Sequence, residues 1–90
     1  MRSIRRRSEK APRRALATSI AYLRATAGLS REAFAEAIGD GASRQLVFAW
    51  ETGKHRPPLH RIPAIAKALR LSPATAKVLR NVAARAWGER

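Results

Sequence analysis

Apolar residues recur three and four positions apart in five separate stretches of this 90-residue chain, and glycine, serine or proline stands between the stretches. In the first stretch the recurring residues are Leu16, Ile20, Leu23 and Ala27. This spacing lines one face of an α-helix. The pattern therefore predicts an all-α fold of five helices.

Capping and helix-ending residues indicate where these helices begin and end. Gly28 and Gly39 are expected to end the first two helices, because glycine accepts the positive φ that a helix terminus or tight turn requires. Ser30 and Ser43 are expected to cap the second and third helices. The third helix is predicted to extend from Ser43 to about Glu51, with its inward face formed by Leu46, Val47 and Trp50.

Proline positions define the last two helices. Pro63 is tolerated only in a first turn, so the fourth helix is predicted to start near Ile62. Ser72 followed by Pro73 is a typical helix start. The fifth helix then carries Leu79, Val82, Ala83, Ala86 and Trp87 on one side.

The charge of the chain points to an anionic partner. The formal net charge is +13, from 19 Lys and Arg against 6 Asp and Glu. Phosphate contacts by such cations supply most sequence-independent affinity for nucleic acid. A membrane surface or an acidic protein is the alternative partner.

The basic N-terminal segment, residues 1–14, has seven cations, a single Glu9 and only Ile4 as a sizeable apolar side chain. Such a composition is typical of a disordered arm. We expect a flexible arm over residues 1–14 and a folded domain over residues 15–88. The arm either only keeps the protein soluble or contacts the DNA minor groove or phosphates, in which case the contacts come from Arg5, Arg6, Arg7, Arg13 and Arg14.

Several classes of protein are disfavoured by what the sequence lacks. There is no cysteine, hence no disulfide or thiolate metal site. His55 and His60, five residues apart without a nearby acidic ligand, are a weak metal signal, and no catalytic motif is present. No apolar run is long enough for a signal peptide or a membrane span. We expect a cytoplasmic protein that is not an enzyme and has no cofactor, metal or small-molecule ligand.

One ordered set of motifs carries a family resemblance from about Ile20 to Ser72. The set is Gly28-Leu29-Ser30, then Phe34-Ala35-x-x-Ile38-Gly39, Ser43-Arg44-Gln45, Trp50-Glu51-x-Gly53-Lys54 and Arg56-Pro57. It resembles the phage Cro and repressor helix-turn-helix proteins, also called the XRE family. The resemblance implies a repressor-like domain whose third helix enters the major groove of double-stranded DNA. One departure is the Gly39-to-Trp50 interval, which is two residues longer than usual, with Asp40-Gly41 as the apparent insertion.

The resemblance also implies roles for individual residues. An arginine that ends the first helix pairs with the glutamate that closes the third, which here are Arg24 and Glu51. Phe48 stands where the family usually has a polar residue; we expect it to extend the core or to pack over the lengthened turn, and contact with thymine methyl groups is the alternative. Base contacts are expected from Ser43, Arg44, Gln45 and Ala49, and phosphate contacts from Arg31, Thr52, Lys54, His55 and Arg56.

The sequence reading favours a transcriptional regulator, a repressor of the phage Cro or immunity kind that occupies its operator. We expect a homodimer on a palindromic operator, with an interface built from Leu79, Val82, Ala83, Ala86 and Trp87. The alternative for Trp87 is that it folds back onto the core of its own chain. An antitoxin or a restriction-system controller of the same fold is the nearest alternative. A protein-interaction module or nonspecific nucleic-acid binder is the alternative from a different class, and it predicts equal binding to all duplexes.

Overall fold

The computed structural model describes the backbone of residues 2–88 and the side chains of residues 10–88. Over this part of the chain the regular structure is helical, as predicted, and no strand is present. No helix in it has both the length and the apolar character needed to cross a membrane. The helices are α1 (Arg2–Thr26), α2 (Arg31–Ile38), α3 (Arg44–Glu51), α4 (Ile62–Ala68) and α5 (Pro73–Ala86), with one 3₁₀ turn at Leu59–Arg61 before α4.

Helix α1 is longer than the sequence predicts. It begins at Arg2, so the segment expected to be a flexible arm continues the first helix without a break at Ala15. Alanine, arginine, lysine and glutamate all favour helix, which accounts for the extension. Pro12 lies inside α1 and donates no backbone hydrogen bond, so the helix is weakened there.

Serine caps open three of the helices as predicted. The Ser30 hydroxyl accepts a hydrogen bond from the Ala33 amide at 3.0 Å, and the Ser43 hydroxyl accepts one from the Leu46 amide at 3.1 Å. Ser72 caps α5 in the same way. Each side chain satisfies one of the amides that a helix start leaves without a partner. The positions at which α2 and α3 begin are thus determined by residues next to them in the sequence.

The core of the protein forms where the apolar faces of all five helices meet. Its largest fully buried side chains are Trp50 of α3 and Phe34 of α2, with exposed fractions of 1% and 0%. Leu16 and Ile20 of α1 and Ile65 of α4 are enclosed with them. Burial of aromatic side chains of this size supplies much of the stability of a small domain. The same packing holds α2 and α3 against α1.

Helix α5 packs along α1 and buries most of the residues expected at a dimer interface. Leu79, Ala83 and Ala86 have exposed fractions of 2%, 0% and 4%. Their assignment to a surface between two subunits is therefore wrong, because these side chains complete the core of their own chain. Val82 is half-buried and Trp87 is 40% exposed.

A polar clasp attaches the end of α5 to the loop between α3 and α4. The indole nitrogen of Trp87 donates to the Pro57 carbonyl at 2.9 Å. In return, Arg56 donates to the Ala86 carbonyl at 2.8 Å and stacks its guanidinium 3.9 Å from the centre of the Trp87 ring. Trp87 thus folds back on its own chain, and the loop after α3 is held at both ends.

Candidate nucleic-acid interface

The turn between α2 and α3 contains three consecutive residues with positive φ. The φ angles are 72° at Gly39, 51° at Asp40 and 78° at Gly41. Aspartate adopts such a conformation more readily than most residues with a side chain. The Asp40 carbonyl accepts a hydrogen bond from Arg61 at 3.0 Å, which ties the enlarged turn to the segment before α4.

A carboxylate enclosed by two arginines fixes α3 in place. Glu51, the last residue of α3, has a side chain only 2% exposed. Arg24 of α1 donates to both of its oxygens, at 2.5 and 3.2 Å, and Arg31 of α2 donates to Oε1 at 3.0 Å. Arg24 also donates to the Leu29 carbonyl at 2.6 Å. Three helices are thus joined at one charge cluster.

This cluster contains the Arg24–Glu51 pair that the family resemblance implies, and it adds Arg31 as a second partner. The family resemblance predicts only a phosphate contact for Arg31. Its side chain is 41% exposed, so the pairing with Glu51 leaves part of the guanidinium accessible. The sequence signal for the Arg31–Glu51 pair is the position of Arg31. Ser30 caps α2, so Arg31 is the first residue of that helix, and this end of α2 lies close to the end of α3.

The outward face of α3 carries Arg44, Gln45 and Phe48, all exposed. Phe48 is 51% exposed and lies outside the core, so the expectation that it extends the core is wrong. The helix itself explains this position, since Val47 and Trp50 face inward and Phe48 falls one turn after the outward Arg44. Arg31 lies over the Phe48 ring, 5.1 Å from its centre.

A shallow depression lies between the starts of α2 and α3, and we call it the α2–α3 depression. Its lining carries four cations and a single carboxylate, so its electrostatic character is positive. Ala49 lines it but is only 9% exposed, which leaves little of this side chain for contact with a base. The full lining is Arg24, Ser30, Arg31, Glu32, Arg44, Gln45, Phe48, Ala49 and Lys54.

The residues expected to contact phosphate differ in what the structure leaves free. Lys54 and His55 are exposed in the loop after α3. The Thr52 hydroxyl donates to the Phe48 carbonyl at 3.0 Å, so its proton is already engaged. Arg56 is half-buried, bonded to the Ala86 carbonyl and stacked on Trp87 in the clasp, so a structural role is observed and its contact with phosphate stays a prediction.

The remaining predicted contacts lie on or near the N-terminal half of α1. Arg13 and Arg14 are exposed side chains on this helix. The side chains of Arg5, Arg6 and Arg7 lie outside the described residues.

Ser43 is exposed at the start of α3, where its hydroxyl serves as the cap. His55 and His60 are exposed, and within residues 10–88 no three acidic or histidine side chains are grouped as metal ligands would be.

Comparison with known proteins yields one match. A family model described as helix-turn-helix matches residues 20–75, which is more than half of the chain. The searches of curated proteins and of solved structures find no match to this chain. The matched segment starts within α1, ends in the first turn of α5 and includes the whole α2–α3 depression.

Proposed function

The chain belongs to the XRE family of helix-turn-helix proteins, which are DNA-binding transcription regulators, and we propose that it is a repressor of the phage Cro or immunity type. In this proposal the protein binds one double-stranded DNA sequence and prevents transcription from the promoter that its operator overlaps. The proposal names the class of regulator and the direction of its effect.

The exposed start of α3 is the observation that carries the proposal. Arg44 and Gln45 project from a helix whose other end is held by the Glu51 cluster. Arginine can bond to O6 and N7 of guanine, and glutamine to N6 and N7 of adenine. Because α3 is held by its neighbours, its backbone needs no further ordering when these two side chains enter the major groove.

Contacts with the DNA backbone would position α3 in the groove. Lys54 and His55 follow α3 and lie free for phosphate, and the exposed part of Arg31 borders the same depression. Arg13 and Arg14 are further candidates on α1. Such contacts set orientation without recognising sequence. Thr52 and Ala49 have smaller roles here, because the Thr52 hydroxyl proton is engaged within the chain and Ala49 is nearly covered. Ser43 is exposed, and its hydroxyl accepts the capping bond and keeps its proton for a partner.

We propose that two copies bind a palindromic operator, with half-sites about one DNA turn apart. The exposed surfaces of Val82 and Trp87 remain as candidates for contact between copies, since the rest of the α5 stripe lies in the core. Sedimentation of the protein with and without a full operator tests this. A single copy on a full operator would contradict the dimer.

The decisive experiment is selection of bound sequences from random duplex DNA at about 150 mM salt. The double variant Arg44→Ala/Gln45→Ala is compared with the wild type on the selected sequence and on a scrambled duplex. We expect wild-type preference of about a thousandfold or more and near loss of it in the variant. Lys77→Ala/Asn81→Ala, which changes two exposed residues of α5, is the matched control and should keep the preference.

A reporter then tests the direction of regulation. A promoter that overlaps the selected sequence should lose expression when the wild type is present and keep it with the Arg44→Ala/Gln45→Ala variant. Increased expression would instead identify an activator or controller. Equal binding to all duplexes in the selection would contradict regulation by sequence recognition altogether.

A further inference from the structure

Phe48 is an apolar side chain on the outward face of α3, where its exposed neighbours Arg44 and Gln45 are polar. It is 51% exposed on the outward face of α3, in line with Arg44 and beside Gln45 in the lining of the α2–α3 depression. It does not belong to the core and is not among the apolar side chains packed against it. Folding therefore does not account for a phenyl ring at this position.

The ring of Phe48 is held in a defined place. Arg31 lies 5.1 Å from the ring centre, and Arg31 is itself hydrogen bonded to the buried carboxylate of Glu51 at 3.0 Å. Cation–π attraction of this kind orients an aromatic side chain at the surface. One part of the ring is covered by the guanidinium, and the exposed half is left for a partner. An apolar surface is thus presented in a fixed orientation.

The apolar group that base pairs offer in the major groove is the 5-methyl group of a pyrimidine. Thymine carries it, while the other base-edge groups there are hydrogen-bond donors and acceptors. We propose that Phe48 is a specificity-determining residue that packs against a pyrimidine 5-methyl group, that of thymine or of 5-methylcytosine. This inference rests on the proposed function, because it requires α3 to lie in the major groove.

The position of Phe48 on α3 indicates which base pair carries the methyl group. Phe48 follows Arg44 by four residues and Gln45 by three, so all three side chains share one face. Four residues span about 6 Å of helix, which is about two base-pair steps at 3.4 Å per step. The methylated pyrimidine should therefore lie within about two base pairs of the bases contacted by Arg44 and Gln45.

The test replaces thymines in the selected operator one at a time by uracil, which lacks only the methyl group. At one position per half-site, the wild type should lose about fourfold in affinity, the effect of withdrawing one buried methyl-sized group. Phe48→Ala should bind the original operator more weakly and show no further loss on that replacement. Phe48→Leu, which keeps an apolar contact, should keep part of the thymine preference.

A second series compares cytosine with 5-methylcytosine at each cytosine near the same bases. Loss on uracil replacement assigns the methyl group to thymine, and tighter binding of 5-methylcytosine assigns it to a methylated cytosine. Either effect must disappear in Phe48→Ala. The matched control is Val78→Ala, which removes another exposed apolar side chain, 60% accessible on α5, and should leave both responses unchanged.

Failure of this inference can be told apart from failure of the proposed function. If the wild type selects one sequence but tolerates uracil and ignores cytosine methylation throughout, the methyl contact is wrong and the regulator proposal stands. The same conclusion follows if Phe48→Ala keeps the methyl response. If no sequence is selected at all, both are overturned.

Discussion

At the scale of single residues, the charge cluster around Glu51 joins the end of α3 to α1 and α2. A carboxylate that is 2% exposed loses almost all of its hydration, and that loss is offset only by paired hydrogen bonds. Arg24 is itself 15% exposed, so both members of this pair depend on each other. Arg31 is more accessible and can serve a partner as well.

Replacing Glu51 by glutamine should therefore destabilise the protein. Glutamine fills nearly the same volume but leaves the Arg24 guanidinium without a counter-charge in a mostly buried site. We expect the free energy of unfolding to fall by about 2 kcal/mol, below the value for a fully buried pair because Arg31 retains access to water. Urea denaturation followed by circular dichroism measures this change.

The control for this substitution is Glu36→Gln, which neutralises an exposed carboxylate on α2. Its effect should stay within about 0.5 kcal/mol, as is usual for surface positions. Equal effects of the two substitutions would mean that the Glu51 cluster adds no net stability. In that event α3 is held by apolar packing alone.

At the scale of helices, two glycines end neighbouring elements in different backbone conformations. After α1, the Gly28 amide bonds to the Ala25 carbonyl and the Leu29 amide to the Arg24 carbonyl, which is the Schellman arrangement with Gly28 left-handed. After α2, Gly39 has φ 72° and ψ −157°. That second region is accessible almost only to glycine.

The same substitution should therefore have different effects at the two glycines. Asparagine accepts the left-handed conformation, so Gly28→Asn should cost less than about 1 kcal/mol. Gly39→Asn should cost about 2 to 3 kcal/mol, since asparagine does not adopt the Gly39 conformation without strain. A Cβ at either position would meet nothing within 4 Å, which removes steric clash as an explanation. Urea midpoints compare the two variants, and equal costs would contradict this account.

Local sequence signals predicted the ends of the helices better than they predicted the conformation of each residue. The serine caps and the positive φ of Gly28 and Gly39 followed from chemistry confined to a few neighbours. Arg70 gave no such signal, yet it ends α4 with φ 55°, in the same arrangement that Gly28 adopts after α1. Leu71, the next residue, packs against the core in this arrangement, and packing between distant segments is not predictable from a local sequence pattern.

The candidate site shows the same division between local and distant information. The exposure of Arg44 and Gln45 follows from the period of α3 once its inward face is known. The bonding of Arg56 in the clasp depends on α5 returning to the loop, across 30 residues of sequence. The apolar stripe on α5 predicted burial correctly, but it could not say whether α1 or a second subunit would cover it.

At the scale of the whole molecule, the fold separates sequence recognition from general attraction to DNA. The net charge of +13 acts on any duplex, because each phosphate that is neutralised releases a condensed counterion. The start of α3, by contrast, offers groups that can distinguish base pairs. The two contributions should respond differently to salt and to substitution.

Lys54→Gln should weaken binding without changing sequence preference. Lys54 is exposed beside the α2–α3 depression, and its ammonium is a point charge suited to phosphate. The slope of log affinity against log salt concentration should become shallower by about 0.9, the value for one lost phosphate contact. Affinity for selected and scrambled duplexes should fall by the same factor, as measured by fluorescence anisotropy between about 50 and 200 mM salt.

Lys77→Gln provides the comparison, since it removes the same charge from an exposed site on α5. If the chain attracted DNA only through its overall charge, both lysine variants would change affinity equally. Neither would then make the slope of log affinity against log salt concentration shallower by the value of about 0.9 expected for one phosphate contact. If Lys54 contacted a base, its loss would weaken the selected duplex more than the scrambled one. A uniform loss confined to Lys54 is expected, because its charge lies next to the helix proposed to enter the groove, while Lys77 lies outside that depression.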